Sequence, residues 1–255
     1  MSIIDSLQCR RPLELLAPGG RIGVIALATD FNIEQDLRRI LPADVEIFTS
    51  RVRNVNPLNM ENLRSMAPGI SAAADTILPG TKLDVVIYAC TSGTVAIGVD
   101  RITELVQQSH PGVAVSNPVT AALAAFEALG GRRISILTPY TAAVNRDFAA
   151  LFESKGYEVL NIAGFDFEDD TAMTFIDPDD IVDCAVQMCD PAADLLFVSC
   201  TALRASGVIE QIEHRLGKPV VSSNQALAWH SLQLMTYGAP IDGFGALMKL
   251  AAVPA

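Results

Sequence analysis

The sequence predicts an α/β protein with two pseudo-symmetric lobes, each a short parallel sheet flanked by helices, and a ligand site in the cleft between the lobes. Three observations predict this class. The chain has 255 residues and is 50% hydrophobic, it contains an internal repeat, and short apolar runs alternate with segments of helical period. A chain of this size can bury a full core as one large domain or as two compact lobes.

The internal repeat consists of three pairs of matching segments in the same order. The run LDVVIYACT at 83–91 matches ADLLFVSCT at 193–201, which places Cys90 over Cys200. Before it, GGRIGVIAL matches GGRRISILT, and after it, GVAVSNP matches KPVVSSNQ. Because the offset between the paired segments is nearly constant, the chain is predicted to contain two copies of one unit.

Eight apolar runs are the predicted strands, four in each unit. They cover residues 22–26, 45–49, 85–89 and 113–115, and then 134–137, 158–162, 195–199 and 220–222. Helices are predicted between them. Their apolar faces carry Ile102, Leu105 and Val106 in the first unit, and Val208, Ile212 and Leu216 in the second. The predicted lobes are residues 1–116 with 225–255, and residues 117–224.

Composition and charge exclude several classes of protein. The net charge of −11 opposes the phosphate contacts of nucleic-acid binding, so no nucleic-acid partner is expected. The start lacks the pattern of a signal peptide and no run of ~18 apolar residues occurs, so we expect a cytoplasmic protein without a membrane partner. The five cysteines lack the spacing of a CxxC pair or a zinc site, which predicts free thiols and no metal.

Both Cys-Thr pairs follow a predicted strand, one in YACTSGT and the other in VSCTALR. Parallel α/β sheets bind ligands at the carboxyl ends of their strands, so a pseudo-twofold axis would direct both thiols into one cleft. We expect a helix after each cysteine, and its positive end would lower the thiol pKa. The hydroxyl and amide groups of Thr91, Ser92 and Thr201 are expected to bind a carboxylate or an enolate-like oxyanion.

Two facing thiols can carry out two kinds of chemistry without a metal or an organic cofactor. They can give and take a proton on opposite faces of one carbon, or one can add to an activated double bond while the other handles the proton. A cysteine after a strand is more often a small core residue. Equivalent positions in the repeat favour a functional pair here, whereas Cys9, Cys184 and Cys189 lack such a context. His230 is expected to be satisfied by a neighbour rather than to face the site.

Longer strings carry a family resemblance. Together with the paired corners, ALATDFN, RVRNVNPLNMENLR, IYACTSGTVAIG, LTPYTAAVN, SCTALRA and PVVSSNQALAWH resemble the aspartate/glutamate racemase superfamily. Within it the chain resembles the maleate cis-trans isomerase and arylmalonate decarboxylase branch, and most of all the ectoine-utilisation protein A group. The resemblance covers nearly the whole chain. It implies an enzyme without a cofactor that assembles as a homodimer or homotetramer and acts on a small carboxylate.

The resemblance also implies roles for particular residues. Cys90 is the nucleophile or base, Cys200 is the second thiol, and a carboxylate-binding set comprises Asn32, Thr91, Ser92 and Tyr140. Asn32 matches its counterpart only approximately, because the chain reads Ala-Thr-Asp-Phe-Asn where maleate isomerases read Ser-Ser-Asn. The decarboxylases of the branch have glycine at the first cysteine, so two cysteines imply isomerisation or racemisation.

The segment Glu168, Asp169 and Asp170 lies where maleate isomerases present an asparagine. Such a run is usually a solvated loop. In the cleft, an acidic group would repel a second carboxylate and could hold an ammonium, which favours an amino-acid-like substrate, such as a diaminobutyrate-type or hydroxylated intermediate of ectoine breakdown. Two other functions stay open: a decarboxylase that uses Cys200 alone, and a non-catalytic protein that binds a small carboxylate.

Overall fold

A computed structural model describes residues 4–14 and 16–250, and these form two parallel four-stranded sheets. All eight predicted strands are present. The first sheet contains β1 Gly20–Leu27, β2 Val45–Val52, β3 Val85–Ala89 and β4 Ala114–Ser116, and the second contains β5 Arg133–Thr138, β6 Glu158–Gly164, β7 Leu195–Val198 and β8 Val220–Ser222. β2 is an edge strand that continues beyond the predicted end, through the polar and at least partly exposed Ser50 and Arg51 to the buried Val52.

The two sheets have the same strand order, β2-β1-β3-β4 and β6-β5-β7-β8. Every strand pair is parallel, and the register pairs Ile22 with Val85 in one sheet and Ile134 with Leu195 in the other. These are the positions that the sequence repeat aligns. β3 and β7 are buried along their whole length, which explains their continuous apolar sequences.

Twelve α-helices and one 3₁₀ turn join and cover the sheets in the described residues. They are α1 Ile33–Ile40, α2 Met60–Arg64, α3 Ala67–Asp75, α4 Thr91–Ile97, α5 Val99–Gln107, α6 Pro118–Ala128, α7 Ala142–Ser154, α8 Asp170–Met173, α9 Pro178–Met188, the 3₁₀ turn Ser206–Val208, α10 Ile209–Leu216, α11 Ser223–Leu234 and α12 Gly245–Met248. None of the helices in this part of the chain is long and apolar enough to cross a membrane.

The predicted apolar face of α5 is confirmed, since Ile102, Leu105 and Val106 are all buried. The predicted face of the later helix is only partly right. α10 begins at Ile209, so that Ile209 and Ile212 are the buried pair while Val208 precedes the helix and is half-buried. A shift of one residue at the helix start therefore rotates the apolar stripe.

α11 lies between the two sheets and is buried almost all round. It packs closely on α6 and contacts α1, β3 and β4 as well as β8. A capping box formed by Ser222 and Gln225 begins the helix, and this places Ser223 and Asn224 in the interior. The lobe limits 1–116 with 225–255 and 117–224 stay a prediction, because α11 contacts strands of both sheets.

Candidate active site

The carboxyl ends of the four central strands meet at one buried cleft. Asp30 follows β1 and Cys90 follows β3 in the first sheet, while Tyr140 follows β5 and Cys200 follows β7 in the second. The strand order reverses at these central strands, which is where open α/β sheets bind ligands. The Tyr140 hydroxyl lies near both thiols, and Cys90 is close enough to Cys200 to raise its pKa. The cleft is closed, since Cys90 and Cys200 are only 4% and 6% exposed.

Cys90 caps the amino end of α4, as the sequence predicts. Its Sγ accepts a hydrogen bond from the Gly93 amide at 3.2 Å and lies 3.7 Å from the Ser92 hydroxyl. A Cβ atom at position 93 would come within 2.5 Å of the Tyr88 hydroxyl and 2.9 Å of Cys90 Sγ. Glycine at this position therefore lets the tyrosine hydroxyl, the thiol and the helix end approach one another.

Cys200 has a different surrounding from Cys90, and the predicted helix after it is wrong. The next helical turn begins only at Ser206, and Cys200 has φ 139°, a conformation that non-glycine residues rarely adopt. The Thr201 and Leu203 carbonyl oxygens accept hydrogen bonds from the Asn32 side chain, at 3.1 and 2.9 Å. These carbonyls bond across the cleft, and so they are not available to a helix directly after Cys200.

Hydroxyl groups connect the two cysteine corners. The Cys200 amide donates to Ser223 Oγ at 3.0 Å, and that hydroxyl lies 3.0 Å from the Thr91 hydroxyl. Thr201 Oγ1 donates to the Ala89 carbonyl at 3.3 Å. In this closed arrangement both threonine hydroxyls already have protein partners, so their role as ligand donors stays a prediction.

Asn32 belongs to a polar cluster at the edge of the cleft. The side-chain Nδ2 of Asn32 donates to Asp36 at 3.0 Å, in addition to the carbonyl oxygens of Thr201 and Leu203. The same Asp36 oxygen accepts from Ser206 at 2.9 Å and from Asn224 at 2.8 Å. The Asn32 donors thus join the two halves of the fold, and a contact between Asn32 and a substrate stays a prediction.

Two tyrosines present unpartnered hydroxyls to the cleft. The Tyr140 hydroxyl is buried beside Cys200 and Ser92 but has no hydrogen-bond partner in the described residues, and the same is true of the Tyr88 hydroxyl beside Cys90. Burial raises the pKa of both phenols well above 10, so both remain donors at neutral pH. An orphaned buried donor indicates a place for a ligand or a water.

Tyr88 was not recognised from the sequence. One signal could have found it: residues two apart in a strand point to the same face, and Tyr88 stands two positions before Cys90 at the end of β3. The apolar residues on either side of Tyr88 make the whole run before Cys90 resemble apolar core in the sequence.

Asp170 also faces the cleft, so the solvated-loop interpretation is wrong for this residue. Asp170 is 6% exposed, and its Oδ2 accepts hydrogen bonds from Thr29 Oγ1 and from Asn54 Nδ2, the latter at 3.1 Å. Asp169 caps α8 with its side chain and remains exposed. The inward orientation of Asp170 includes a hydrogen bond from Thr29, which lies 141 positions away in the sequence.

Asp30 is the second buried carboxylate of the cleft, with 4% of its surface exposed. Its Oδ1 accepts from the amides of Asn32 at 2.7 Å and Ile33 at 2.9 Å, whereas Oδ2 has no partner in the described residues. Burial raises the pKa of Asp30 and of Asp170 above the usual value, although the hydrogen bonds to each partly oppose this effect.

The predicted lowering of the thiol pKa values is wrong in this closed structure. Burial, followed by the charge of Asp170, raises the pKa of Cys90 to about 12, and the Gly93 amide and the Ser92 hydroxyl only partly offset the rise. The same two causes raise the pKa of Cys200, against a lowering by the Tyr140 hydroxyl and the Ala202 amide. Both thiols are therefore protonated at neutral pH until something changes their surroundings.

The remaining predicted residues lie apart from this chemistry. His230 Nδ1 lies 2.9 Å from the Ser116 hydroxyl, so this histidine has a neighbour as its partner. Cys9 is exposed, Cys184 is half-buried and Cys189 is buried, and all five cysteines are free. The residues described here contain no cluster of three side chains that could ligate a metal.

Comparison with known proteins supports one family. Residues 73–248 match the model of the family described as arylmalonate decarboxylase. The chain is 31% identical to the arylmalonate decarboxylase of Bordetella bronchiseptica over 183 residues, which cover 69% of this chain and 71% of that protein. It is 26% identical to a maleate isomerase of Pseudomonas putida over 244 residues, with 90% and 97% coverage.

A solved structure has the same fold. It is a cysteine-to-serine variant of the maleate cis-trans isomerase from Nocardia farcinica with a covalently bound succinylcysteine intermediate. The TM-score is 0.81 at 20% identity, and the match covers 90% of this chain and 98% of the other. The two-sheet α/β architecture predicted from the repeat is thus confirmed.

Proposed function

The chain belongs to the arylmalonate decarboxylase family, and on that basis we propose that it is a cofactor-independent enzyme that isomerises or racemises a small carboxylate with Cys90 and Cys200. One observation carries the proposal. Two thiols from equivalent corners of the repeat share one buried cleft with Tyr140, which lies next to both. A pair of thiols on either side of one substrate carbon is what two-sided proton transfer needs.

In the racemase version, the cycle needs one thiolate and one thiol. The thiolate removes the proton from the α-carbon, and the electron pair of that bond moves into the carboxylate to form an enediolate. The other thiol then donates its proton to the opposite face, so that the enantiomer forms and the two sulfurs exchange protonation states. The hydroxyls of Tyr140 and Ser92, which lie beside the thiols, would donate hydrogen bonds to the developing negative charge.

In the geometric isomerase version, the substrate has a carbon-carbon double bond conjugated to a carboxylate. A Cys90 thiolate adds to one carbon while the Cys200 thiol protonates its neighbour, which leaves a single bond that can rotate. Cys200 then removes a proton and the Cys90–carbon bond breaks, so the double bond returns in the other geometry. The succinylcysteine in the Nocardia farcinica enzyme supports this route by analogy.

A decarboxylase is the second candidate, and the relative at 31% identity supports it specifically. Here a malonate-like diacid loses carbon dioxide, the electron pair of the broken bond forms an enediolate, and the Cys200 thiol protonates it. Cys90 has no necessary part in this reaction. The raised pKa of Cys200 suits a proton donor, so this feature alone does not separate the two candidates.

Proton NMR in deuterium oxide separates the candidates when maleate, an arylmalonate and both enantiomers of aspartate, glutamate and 2,4-diaminobutyrate are supplied. Deuterium at an α-carbon with loss of optical activity identifies a racemase, and conversion of maleate to fumarate identifies a geometric isomerase. In both cases Cys90→Ser and Cys200→Ser should each abolish turnover, whereas Cys184→Ser, on α9, should not. Decarboxylation that survives Cys90→Ser would establish the lyase.

If the chain binds one of these compounds but turns over none of them, it is a binding protein and the enzyme proposal is wrong. We also propose that the protein is a cytoplasmic homodimer or homotetramer. Its proposed substrate is an intermediate of ectoine breakdown. Sedimentation of the purified protein tests the assembly state.

A further inference from the structure

The charge of the cleft indicates more about the substrate than the thiols do. Among the described residues, the charged side chains with the largest effects on the two thiols are the carboxylates of Asp170 and Asp30, and no lysine, arginine or histidine is among them. The guanidinium near Asp30 belongs to Arg51, which bonds to backbone carbonyls and forms an ion pair with Glu34. A second carboxylate on a substrate would find no positive countercharge near Asp30 and Asp170 other than Arg51, which already has partners.

Two buried acceptor atoms near Asp170 lack a hydrogen-bond partner, and one oxygen of Asp170 accepts no recorded hydrogen bond in the described residues. Asp30 Oδ2 and Asn54 Oδ1 are buried and have no hydrogen-bond partner in the described residues. Both hydrogen bonds to the Asp170 carboxylate go to Oδ2, which leaves Oδ1 available. Asp30 and Asp170 are close enough that the charge of Asp30 raises the Asp170 pKa, so these acceptors form one group. Buried acceptors without donors are costly, and a ligand donor relieves that cost.

Hydroxyl donors lie in the same cleft, beside the thiols, and they include the unpartnered Tyr88 hydroxyl near Cys90 and Asp170. The Tyr140 hydroxyl is unpartnered next to Cys200, and the Ser92 hydroxyl lies 3.7 Å from Cys90 Sγ. The cleft thus holds both hydroxyl donors and acidic acceptors around the two thiols. That combination matches a molecule that carries both a carboxylate and a cation.

We propose that the substrate is an aminocarboxylic acid, with its ammonium group held by Asp170, Asp30 and Asn54 and its single carboxylate held at Tyr140 and Ser92. The inference rests on the proposed function of this site and adds the charge class of the substrate. A dicarboxylate such as maleate would bring a second negative charge against two buried carboxylates, which disfavours it. An ammonium beside Asp170 would also offset the negative charge that disfavours both thiolates, so substrate binding itself would favour formation of the reactive thiolate.

Ligand binding tests this inference without requiring turnover. Calorimetric titration of the wild-type chain with 2,4-diaminobutyrate, aspartate, maleate and succinate should show binding of diaminobutyrate at least tenfold tighter than that of either dicarboxylate lacking an amine. In Asp170→Asn, diaminobutyrate should lose about tenfold in affinity while maleate gains. Asp169→Asn is the matched control: it removes the same charge one position away, on an exposed residue, and should change neither.

Equal or tighter binding of maleate by the wild type would overturn the inference, as would failure of the wild type to bind any aminocarboxylate, or equal effects of the two Asp→Asn variants. If Asp170→Asn does not fold, Asn54→Ala replaces it, because it removes one acceptor of the same group and should weaken only the amine ligands. Selective amine binding without turnover of any compound would support this inference while contradicting the proposed reaction.

Discussion

Thr201 Oγ1 donates a hydrogen bond to the carbonyl oxygen of Ala89 at 3.3 Å, so the residue after one cysteine is bound to the residue before the other. The bond joins the ends of β3 and β7, which belong to different sheets. A second connection runs from the Cys200 amide through Ser223 to Thr91. The distance between the two thiols is therefore set by hydrogen bonds between the sheets, which lie directly at the cysteines.

Replacing Ser223 with alanine should destabilise the fold and reduce turnover, because the Cys200 amide and the Thr91 hydroxyl would lose their buried partner. We expect the free energy of unfolding to fall by about 1–3 kcal/mol. Ser231→Ala is the matched control: Ser231 is also fully buried on α11, but its hydroxyl bonds only to the Leu227 carbonyl of the same helix. Urea denaturation measures the free energy of unfolding of both variants. Equal losses in the two variants would show that the hydrogen bonds between the sheets contribute no more than one bond within a helix.

Replacing Tyr140 with phenylalanine should leave stability unchanged or slightly raised, because the buried hydroxyl has no protein partner to lose in the described residues. Ligand affinity should fall tenfold or more, since a hydrogen bond to a charged group contributes about 1.5–3 kcal/mol. In the control Tyr157→Phe, loss of the bond to the Leu123 carbonyl should lower stability by about 1 kcal/mol and leave ligand affinity unchanged. If Tyr140→Phe lowers stability and leaves ligand affinity unchanged, the Tyr140 hydroxyl stabilises the fold and does not bind the ligand.

Replacing Asp170 with asparagine should lower the pKa of both Cys90 and Cys200. The carboxylate charge disfavours each thiolate, so its removal favours ionisation, although burial keeps both pKa values above that of a free thiol. Thiolate ultraviolet absorbance followed from neutral to alkaline pH measures this, with Cys90→Ser and Cys200→Ser backgrounds to assign each thiol. Asp169→Asn should produce a much smaller shift, and a rise in either thiol pKa in Asp170→Asn would contradict the expected sign.

Glycine at position 200 should be better tolerated than glycine at position 90. Cys200 has φ 139°, so Cys200→Gly relieves backbone strain that Cys200→Ala retains, and the glycine variant should be more stable by about 1 kcal/mol. Cys90 has φ −151°, which any residue adopts, so Cys90→Gly should be less stable than Cys90→Ala because glycine gains entropy in the unfolded chain. Thermal unfolding of the four variants measures both differences, and the same order at both positions would contradict the prediction.

Much of the fold could be predicted from the sequence because its signals are local. The continuous apolar runs at 85–89 and 195–199 encode central strands that are buried on both faces, and the repeat implies two sheets with one topology. The position of Cys90 before a helix follows in the same way from YACTSGT, whose Gly93 allows the close packing seen there.

The sequence by itself therefore determined the α/β class, the eight strands and the two cysteine corners, since these depend on periodicity and on order along the chain. Only the tertiary structure decided three features of the site. Asp170 turns inward to Thr29 and Asn54, the segment after Cys200 bonds to Asn32 instead of forming a helix, and burial raises the thiol pKa values instead of lowering them. The physical reason is that hydrogen bonding and desolvation at a buried site depend on residues far apart in the sequence, and no local pattern records which of them meet.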